Sequence, residues 1–438
     1  MDKAVVALLG AILAYGGTAN AAQTWVLRTE LWGSPAFSTL QLDTEGATAT
    51  GTLDGDAARG SLQGGRLRLA VEDSAREQFD LRLRGDRLAG EVERADPNDA
   101  QRRVTHPVTG WRLPDAPASP RTLTYTPADY SNTFDADRPP VLVIWPGDTV
   151  RTRTLDSGGV DAQGVTRALF GNPQNGPFFI AGAEPGDTVA VHLRTLALNR
   201  DYADSLDSVV GRALGSSLVP QAGELGKPVR WTLDRAAGVA RPAQAQGALA
   251  GYAVPLRPML GGLALAPGFG APAMSTGDTG RSGGNMDFNE VVQGNTVYLP
   301  VQQPGGLLYL GDAHALQGDG ETSQYALETS MDVVFSVSLI KRKAINMPRV
   351  ESPTQIMVLG QAGSLDEALR FASTGLLQWL REDYGMTLSQ AAQVLGSAVK
   401  FDIANLAGRS VGVSARLDKA LLPAARRVVS VESPPQSS

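Results

Sequence analysis

From Gln23 to about Arg112 the chain is built of short runs in which apolar and polar residues alternate, and this period of two constrains the fold more than any other feature. The runs are Ser38-Thr-Leu-Gln-Leu42, Arg66-Leu-Arg-Leu-Ala-Val71, Phe79-Asp-Leu-Arg-Leu-Arg84 and Arg87-Leu-Ala-Gly-Glu-Val92. A strand that alternates in this way buries one face and wets the other. Between the runs lie Leu53-Asp-Gly-Asp56, Gln63-Gly-Gly65 and Gly85-Asp86, residue types that suit hairpin turns. Residues 22–112 are therefore expected to form a small antiparallel β domain. With 49 Gly and 27 Pro in 438 residues, the chain as a whole favours many turns joining short strands over long helices.

The remaining regions follow from composition shifts. Ala4–Gly17 is an uncharged apolar run behind Lys3, and Ala19-Asn20-Ala21 supplies small residues for cleavage before Ala22. Residues 1–21 are thus expected to be a signal peptide, which places the mature protein in a periplasm or outside the cell. The run is shorter than the ~20 apolar residues a bilayer needs, so no membrane span is expected after cleavage. Leu113-Pro-Asp-Ala-Pro-Ala-Ser-Pro120 holds three prolines, and 113–120 is expected to be an extended linker. Over 121–350 a faint echo recurs: Pro146-Gly-Asp-Thr-Val150, Pro185-Gly-Asp-Thr-Val189 and Gln293-Gly-Asn-Thr-Val297 each open a β-branched run, with glycine able to supply the positive φ of a turn. This region is expected to be a β-sandwich elaborated by long loops.

From 351 to 432 the pattern becomes helical. Ser364-Leu-Asp-Glu367 and Thr387-Leu-Ser-Gln390 are capping boxes. Leu365, Ala368, Leu369, Ala372, Leu376 and Leu380 form one expected apolar face, ended by Gly385. The fold class is therefore mainly β (α+β), with a C-terminal helical pair and a frayed tail at 433–438.

The chain has no cysteine, which removes thiolate metal sites, disulfides and cysteine nucleophiles. Lys plus Arg number 39 against 45 Asp plus Glu, and a net charge of −6 excludes nucleic acid as an expected partner. Only His106, His192 and His314 can supply imidazole, and the first two stand without an acidic cluster. Around His314 the chain reads Gly311-Asp312-Ala-His314-Ala-Leu-Gln317-Gly-Asp319-Gly-Glu321. If the apolar strand that begins at Leu307 continues, Asp312 and His314 share a face, and the Gly318-Asp-Gly320 turn can return Glu321 toward them. Imidazole and carboxylate together suit a zinc site with room for water. Gly280-Arg-Ser282-Gly-Gly284 fits G-x-S-x-G only formally, because that motif needs a strand-to-helix elbow.

Gly283-Gly-Asn-Met-Asp287, Val297-Tyr-Leu-Pro300, Pro304-Gly305 and the Gly-Asp-x-His-x-x-Gln-Gly-Asp-Gly-Glu run together resemble the acetamidase/formamidase family, over roughly Val141–Leu421. The resemblance implies a mainly β core, a divalent metal (zinc, with calcium the other metal associated with such proteins) and hydrolysis of a small carboxamide or cyclic amide. The family's motif positions fall on Asn285, Asp287, Asp312, His314, Gln317, Asp319, Glu321 and Glu328. On this reading Asp287, Asp312, His314 and Asp319 hold the metal. Glu321, or failing it Glu328, shuttles the proton, and Asn285 and Gln317 orient the substrate amide. The chain departs from the pattern at Ser282, where relatives often have His, and at Ser323, Gln324 and Tyr325, where they have small residues or Cys. A homo-oligomer is expected. The competing class is a non-catalytic periplasmic ligand-binding protein on the same scaffold.

Overall fold

The computed structural model describes residues 22–268 and 270–424; the expected signal segment and the tail at 433–438 lie outside them. Two compact units divide the chain. One takes in the residues up to Glu30 and Ser38–Leu113, the other Leu31–Phe37 and the residues from Pro114 on.

In the first unit eight strands, β1 (Gln23–Leu31), β2 (Ser34–Glu45), β3 (Thr48–Leu53), β4 (Asp56–Gln63), β5 (Arg66–Val71), β6 (Gln78–Arg84), β7 (Arg87–Asp96) and β8 (Asp99–Arg112), follow one another up and down. They do more than form a meander. β1 pairs antiparallel with β8, Trp25 opposite Arg112, and the sheet closes into a barrel. The alternation holds: in β5 Leu67, Leu69 and Val71 are buried while Arg66, Arg68 and Ala70 are exposed. Inward residues, among them Trp25, Leu27, Leu40, Leu42, Leu81, Leu88 and Val108, fill the barrel with one apolar cluster. Each such side chain contributes ~1.5–3 kcal/mol on burial. Closure needs strands that tilt and stagger around the barrel. A Cβ at Gly60 would lie 1.8 Å from the Arg68 carbonyl oxygen, so a bare backbone is required where β4 crowds its neighbour.

In the second unit the strands that place the site are, in chain order, β9 (Gln174–Ile180), β10 (Thr188–Leu198), β11 (Met259–Leu265), β12 (Gly283–Asn285), β13 (Thr296–Pro300), β14 (Leu308–His314), β15 (Glu328–Thr329), β16 (Met331–Ile340), β17 (Arg349–Glu351) and β18 (Gln355–Ala362). They lie in two large sheets. An eleven-stranded sheet carries β15, β14, β11 and β12 side by side, with β9 also paired to β14. A nine-stranded sheet carries β18, β17, β13, β10 and β16 in that order. Leu260, Leu263, Leu308 and Leu310 of the first and Val189, Val191, Val297, Leu299 and Phe335 of the second belong to one buried cluster, so the apolar faces meet.

The echoed turns are real. Gly147, Gly186 and Gly294 adopt φ of 95°, 92° and 88°. The Asp after the first two clamps its own turn: Asp148 Oδ2 accepts from Trp145 N at 3.0 Å, and Asp187 Oδ2 from Glu184 N at 2.8 Å.

Beyond β18 come α1 (Leu365–Tyr384) and α2 (Leu388–Ala398); Thr387 forms the expected capping box with Gln390, Ser364 caps α1 through the Glu367 N–H alone among the described contacts, and Gly385 closes α1 at φ 66°. The buried face of α1 differs from the expected stripe: Ala368, Ala372, Gly375, Leu376, Trp379 and Leu380 are buried, whereas Leu365 and Leu369 are exposed. The helix lies close enough to β18 that a Cβ on Gly360 would meet the Ala368 carbonyl oxygen at 2.0 Å. Small residues therefore define the contact, and the leucines beside them turn outward. Among the described residues no helix is long and apolar enough to cross a membrane.

Candidate metal centre

The centre is assembled where β14 ends between two neighbours. Asp312 and His314 lie on its last turn of strand, and His314 Nε2 is 3.4 Å from Asp312 Oδ1, so the spacing of two does bring them together. β15 places Glu328 opposite His314 in register, with Glu328 Oε1 3.3 Å from the same nitrogen. From the other side β12 runs into Asp287, whose N–H, like that of Met286, donates to the Gly261 carbonyl. Gly261, on β11, forms the floor. A Cβ there would lie 2.5 Å from Asp287 Oδ1, 2.6 Å from Asp312 Oδ2 and 3.0 Å from His314 Cε1.

Amide side chains hold these groups. Gln317 Nε2 donates to the Asp287 carbonyl at 2.5 Å and faces that of Ala404 at 3.4 Å, which turns Oε1 toward His314 Nδ1 at 3.0 Å. Because Oε1 can only accept, Nδ1 carries a proton, and Nε2, turned toward the carboxylates, is the position that a second proton or a metal can take. Asn285 Nδ2 donates to Asp287 Oδ2, and Asn405 Nδ2 donates to the same oxygen at 2.6 Å. Asn172 Nδ2 reaches Asn285 Oδ1 at 2.5 Å and Asp312 Oδ2 at 3.1 Å. Glu321 and Glu328 share the Ala326 N–H, at 3.1 and 3.0 Å.

Four buried atoms of the centre remain without a hydrogen-bond partner among the described residues: Asp287 Oδ1, Asp312 Oδ1, His314 Nε2 and Glu328 Oε2. One ligand atom from each of Asp287, Asp312 and His314 lies within 4.8 Å of the others, and the same holds for His314, Glu321 and Glu328. Buried acceptors left open beside one another are costly unless a cation or proton joins them, and this donor set of oxygens with one imidazole fits a divalent metal. The electrostatics agree. Burial, then the Asp312 charge, pushes Asp287 up to about 7. Burial raises Asp312 against the pull of His314. Burial, then Asp287, holds Glu321 well above the carboxylate range. Burial would lower His314, but Glu328 and Asp312 outweigh it and raise the ring well above its ordinary value.

The backbone is also unusual here. Asp287, Asp312 and Glu321 have φ of 42°, 57° and 44°, the left-handed region that non-glycine residues rarely occupy. Such conformations persist where surrounding structure enforces them.

Of the eight positions named from sequence, seven converge. Asp319 does not: its turn carries it to the surface, where it accepts from Asn289 Nδ2 at 2.7 Å. The intervening Gly320 instead turns the chain so that Glu321 is buried. Asn285 and Gln317 are present, but their amides are committed within the centre, to its side chains and, for Gln317 Nε2, to backbone carbonyls. Sequence reasoning missed Asn172, Asn405 and Gly261. The only local signal for the first was its place between Gly171 and Pro173. His106 and His192 lie elsewhere, the former in β8 and the latter bonded to Thr296 and Ser338.

The Acetamidase/Formamidase family description matches residues 233–391, which include all eight of those positions. The crystal structure of an acetamidase from Yersinia enterocolitica superposes with a TM-score of 0.61 at 30% identity, covering 69% of this chain and 94% of that one. An acetamidase from Bacillus halodurans, 23% identical, shares the fold with a TM-score of 0.57, covering 68% of this chain and 97% of that one. The formamidase of Methylophilus methylotrophus is 31% identical over 137 residues, 26% of this chain and 33% of that protein. The chain thus spans about a third of that curated relative.

Proposed function

The chain belongs to the acetamidase/formamidase family, and from that premise we propose that it is an exported metal-dependent amidohydrolase cleaving the C–N bond of a small carboxamide of the formamide or acetamide type, or of a cyclic amide. The single observation that carries the reading is the set of open, buried acceptor atoms on Asp287, Asp312, His314 and Glu328. Export rests on the apolar run 4–17 and the small residues before Ala22.

Asp287, Asp312 and His314 would hold the cation, zinc by our reading. When bound, it supplies Lewis-acid stabilisation of the charge that builds on the amide oxygen. The chain's own groups do the rest. Glu321, anchored through Oε1 to the Ala326 N–H, takes the proton of the attacking water and returns it to the leaving nitrogen. Glu328, held by the same N–H, is the second candidate for that role. Gln317 fixes the His314 tautomer, while Asn285, Asn172 and Asn405 fix the carboxylates. We therefore assign Asn285 and Gln317 to positioning the acids and the imidazole.

Ammonia release from formamide, acetamide and propionamide, and ring opening of γ-lactams, measured with and without chelator, tests the proposal. Turnover of at least one amide, lost to chelator and restored by zinc, is expected. Tight amide binding with no turnover at any metal loading would instead favour the binding-protein reading.

A further inference from the structure

The face of the nine-stranded sheet that points away from the core carries a second cleft, with a volume of about 600 Å³, that shares no residue with the acid and histidine cluster. Period two produces it. Val189, Val191, Val297, Leu299 and Val337 enter the core, while their strand neighbours Ala190, His192, Thr296, Tyr298 and Ser338 line the cleft. The C-terminal end of α1 and β17 wall it with Trp379 and Arg349.

Arg349 is the unexplained group. It is 2% exposed, its guanidinium lies over the Trp379 ring at 4.9 Å, and its Nε and Nη2 have no hydrogen-bond partner. Those two nitrogens form the edge with which an arginine grips a carboxylate, as Arg66 does with Asp80 through Nε at 2.6 Å and Nη2 at 2.5 Å. The nearest acid, Glu382, stays 3.8 Å from Nη2, outside hydrogen-bond reach, and Gln378 Nε2 holds its Oε1 at 2.8 Å. The other cations of the cleft are matched: Lys343 with Asp383, and Lys419 with Glu351 at 2.6 Å. Burial depresses Arg349 to about 10, against the opposing charges of Asp383 and then Glu382. Leaving a charged donor buried and unmade is expensive, so the arrangement calls for an anion.

We propose that this cleft binds a small organic carboxylate, its oxygens on the Arg349 Nε/Nη2 edge and its alkyl body against Trp379 and Ile345. Binding requires the buried Arg349 edge to turn toward the cleft that its side chain lines. On the floor, His192 bridges Thr296 Oγ1 at 2.9 Å and Ser338 Oγ at 2.8 Å, which leaves hydroxyls to bind the ligand's remaining polar groups. The inference is independent of the hydrolase reading.

Propionate is the probe, titrated into the full-length protein while tryptophan fluorescence and the melting temperature are followed. Saturable quenching and a rise in melting temperature are expected, at a dissociation constant of roughly 1 mM. R349K keeps the charge but loses the fork, and should weaken binding at least tenfold. R349M should abolish binding without loss of stability, because an apolar isostere relieves the buried charge. H314A, changed in the other cluster, should bind propionate as the unmodified protein does. Absence of saturable binding up to about 50 mM, or equal binding by R349K, overturns the proposal. So does loss of binding in H314A, which would place the carboxylate at the metal centre. If R349M fails to fold, R349K decides.

Discussion

Replacing Gly261 with alanine is the most direct probe of how tightly the centre is built. Gly261 lies in the extended strand β11 without a positive φ, so alanine meets no backbone penalty and the outcome rests on contact alone. The new Cβ would sit 2.5 Å from Asp287 Oδ1 and 2.6 Å from Asp312 Oδ2, whereas ordinary contact begins at 3.4 Å. Both carboxylates must retreat by roughly 0.8–0.9 Å, beyond the ~0.5 Å within which a working site holds its groups. Neither can do so freely, because Asp287 is fixed by Asn285 and Asn405, and Asp312 by Asn172. Overpacking of this kind costs about 1–3 kcal/mol in stability. Misplacement by almost 1 Å costs about 10²-fold in turnover. The assay is kcat/KM for amide hydrolysis together with bound metal per chain and thermal unfolding. G280A is the control: nothing lies within 4 Å of its added Cβ and its φ is not positive, so it should match the parent within about 0.5 kcal/mol. A G261A protein with full turnover and full metal content would refute the claim that Asp287 and Asp312 form the metal-facing wall.

Other outcomes follow from the same geometry. H314A removes the one nitrogen donor, so metal content and turnover should fall together, read by elemental analysis beside the ammonia assay. E321Q should keep its metal while kcat drops by roughly 10²-fold or more; if metal is lost too, Glu321 is a ligand and the shuttle role passes to Glu328. D319N changes an exposed carboxylate bonded only to Asn289 among the described contacts, and both metal and kcat should stay within twofold. Burial, and then the Arg194 charge, holds His192 below its ordinary 6.5, so folding favours the neutral ring. Its stabilising contribution is present above pH 6.5 and lost as pH falls through the lower folded value. H192Q should flatten that part of the melting temperature against pH, and an unchanged acid limb would show that the ring titrates normally.

What the sequence disclosed and what it hid follow from how far apart the interacting parts lie. The strands of the first unit were legible because period two is local, and Leu67, Leu69 and Val71 point inward as the pattern requires. Barrel closure was not, since Trp25 meets Arg112 from opposite ends of the unit and no local pattern marks that pairing. Helix caps at Ser364 and Thr387 were legible for the same local reason. The buried face of α1 shifted because the helix approaches β18 through Ala368 and Ala372, a fit set by the partner strand. At the centre, Asp312 and His314 were found from their spacing, and Asp319 was misplaced because a Gly-flanked turn can send either of its acids inward. Asn172 arrives from a loop and Asn405 from the end of a strand, each more than a hundred residues away, and a lone asparagine carries no pattern that tells a clamp from a turn.

The left-handed backbone at Asp287, Asp312 and Glu321 sets how substitutions there must be interpreted. Aspartate tolerates such φ better than most residues, and asparagine and glycine tolerate it best. An alanine placed at either aspartate changes the charge and also resists the conformation, at a cost of order 1 kcal/mol. Alanine scanning therefore inflates the apparent chemical weight of Asp287 and Asp312, whereas asparagine there removes the charge and leaves the backbone at ease. The same asymmetry predicts which neutral drift the lineage can survive. A homologue that has lost hydrolysis should show Asn or Gly at these aspartates far more often than Ala or Val, and it should still fold.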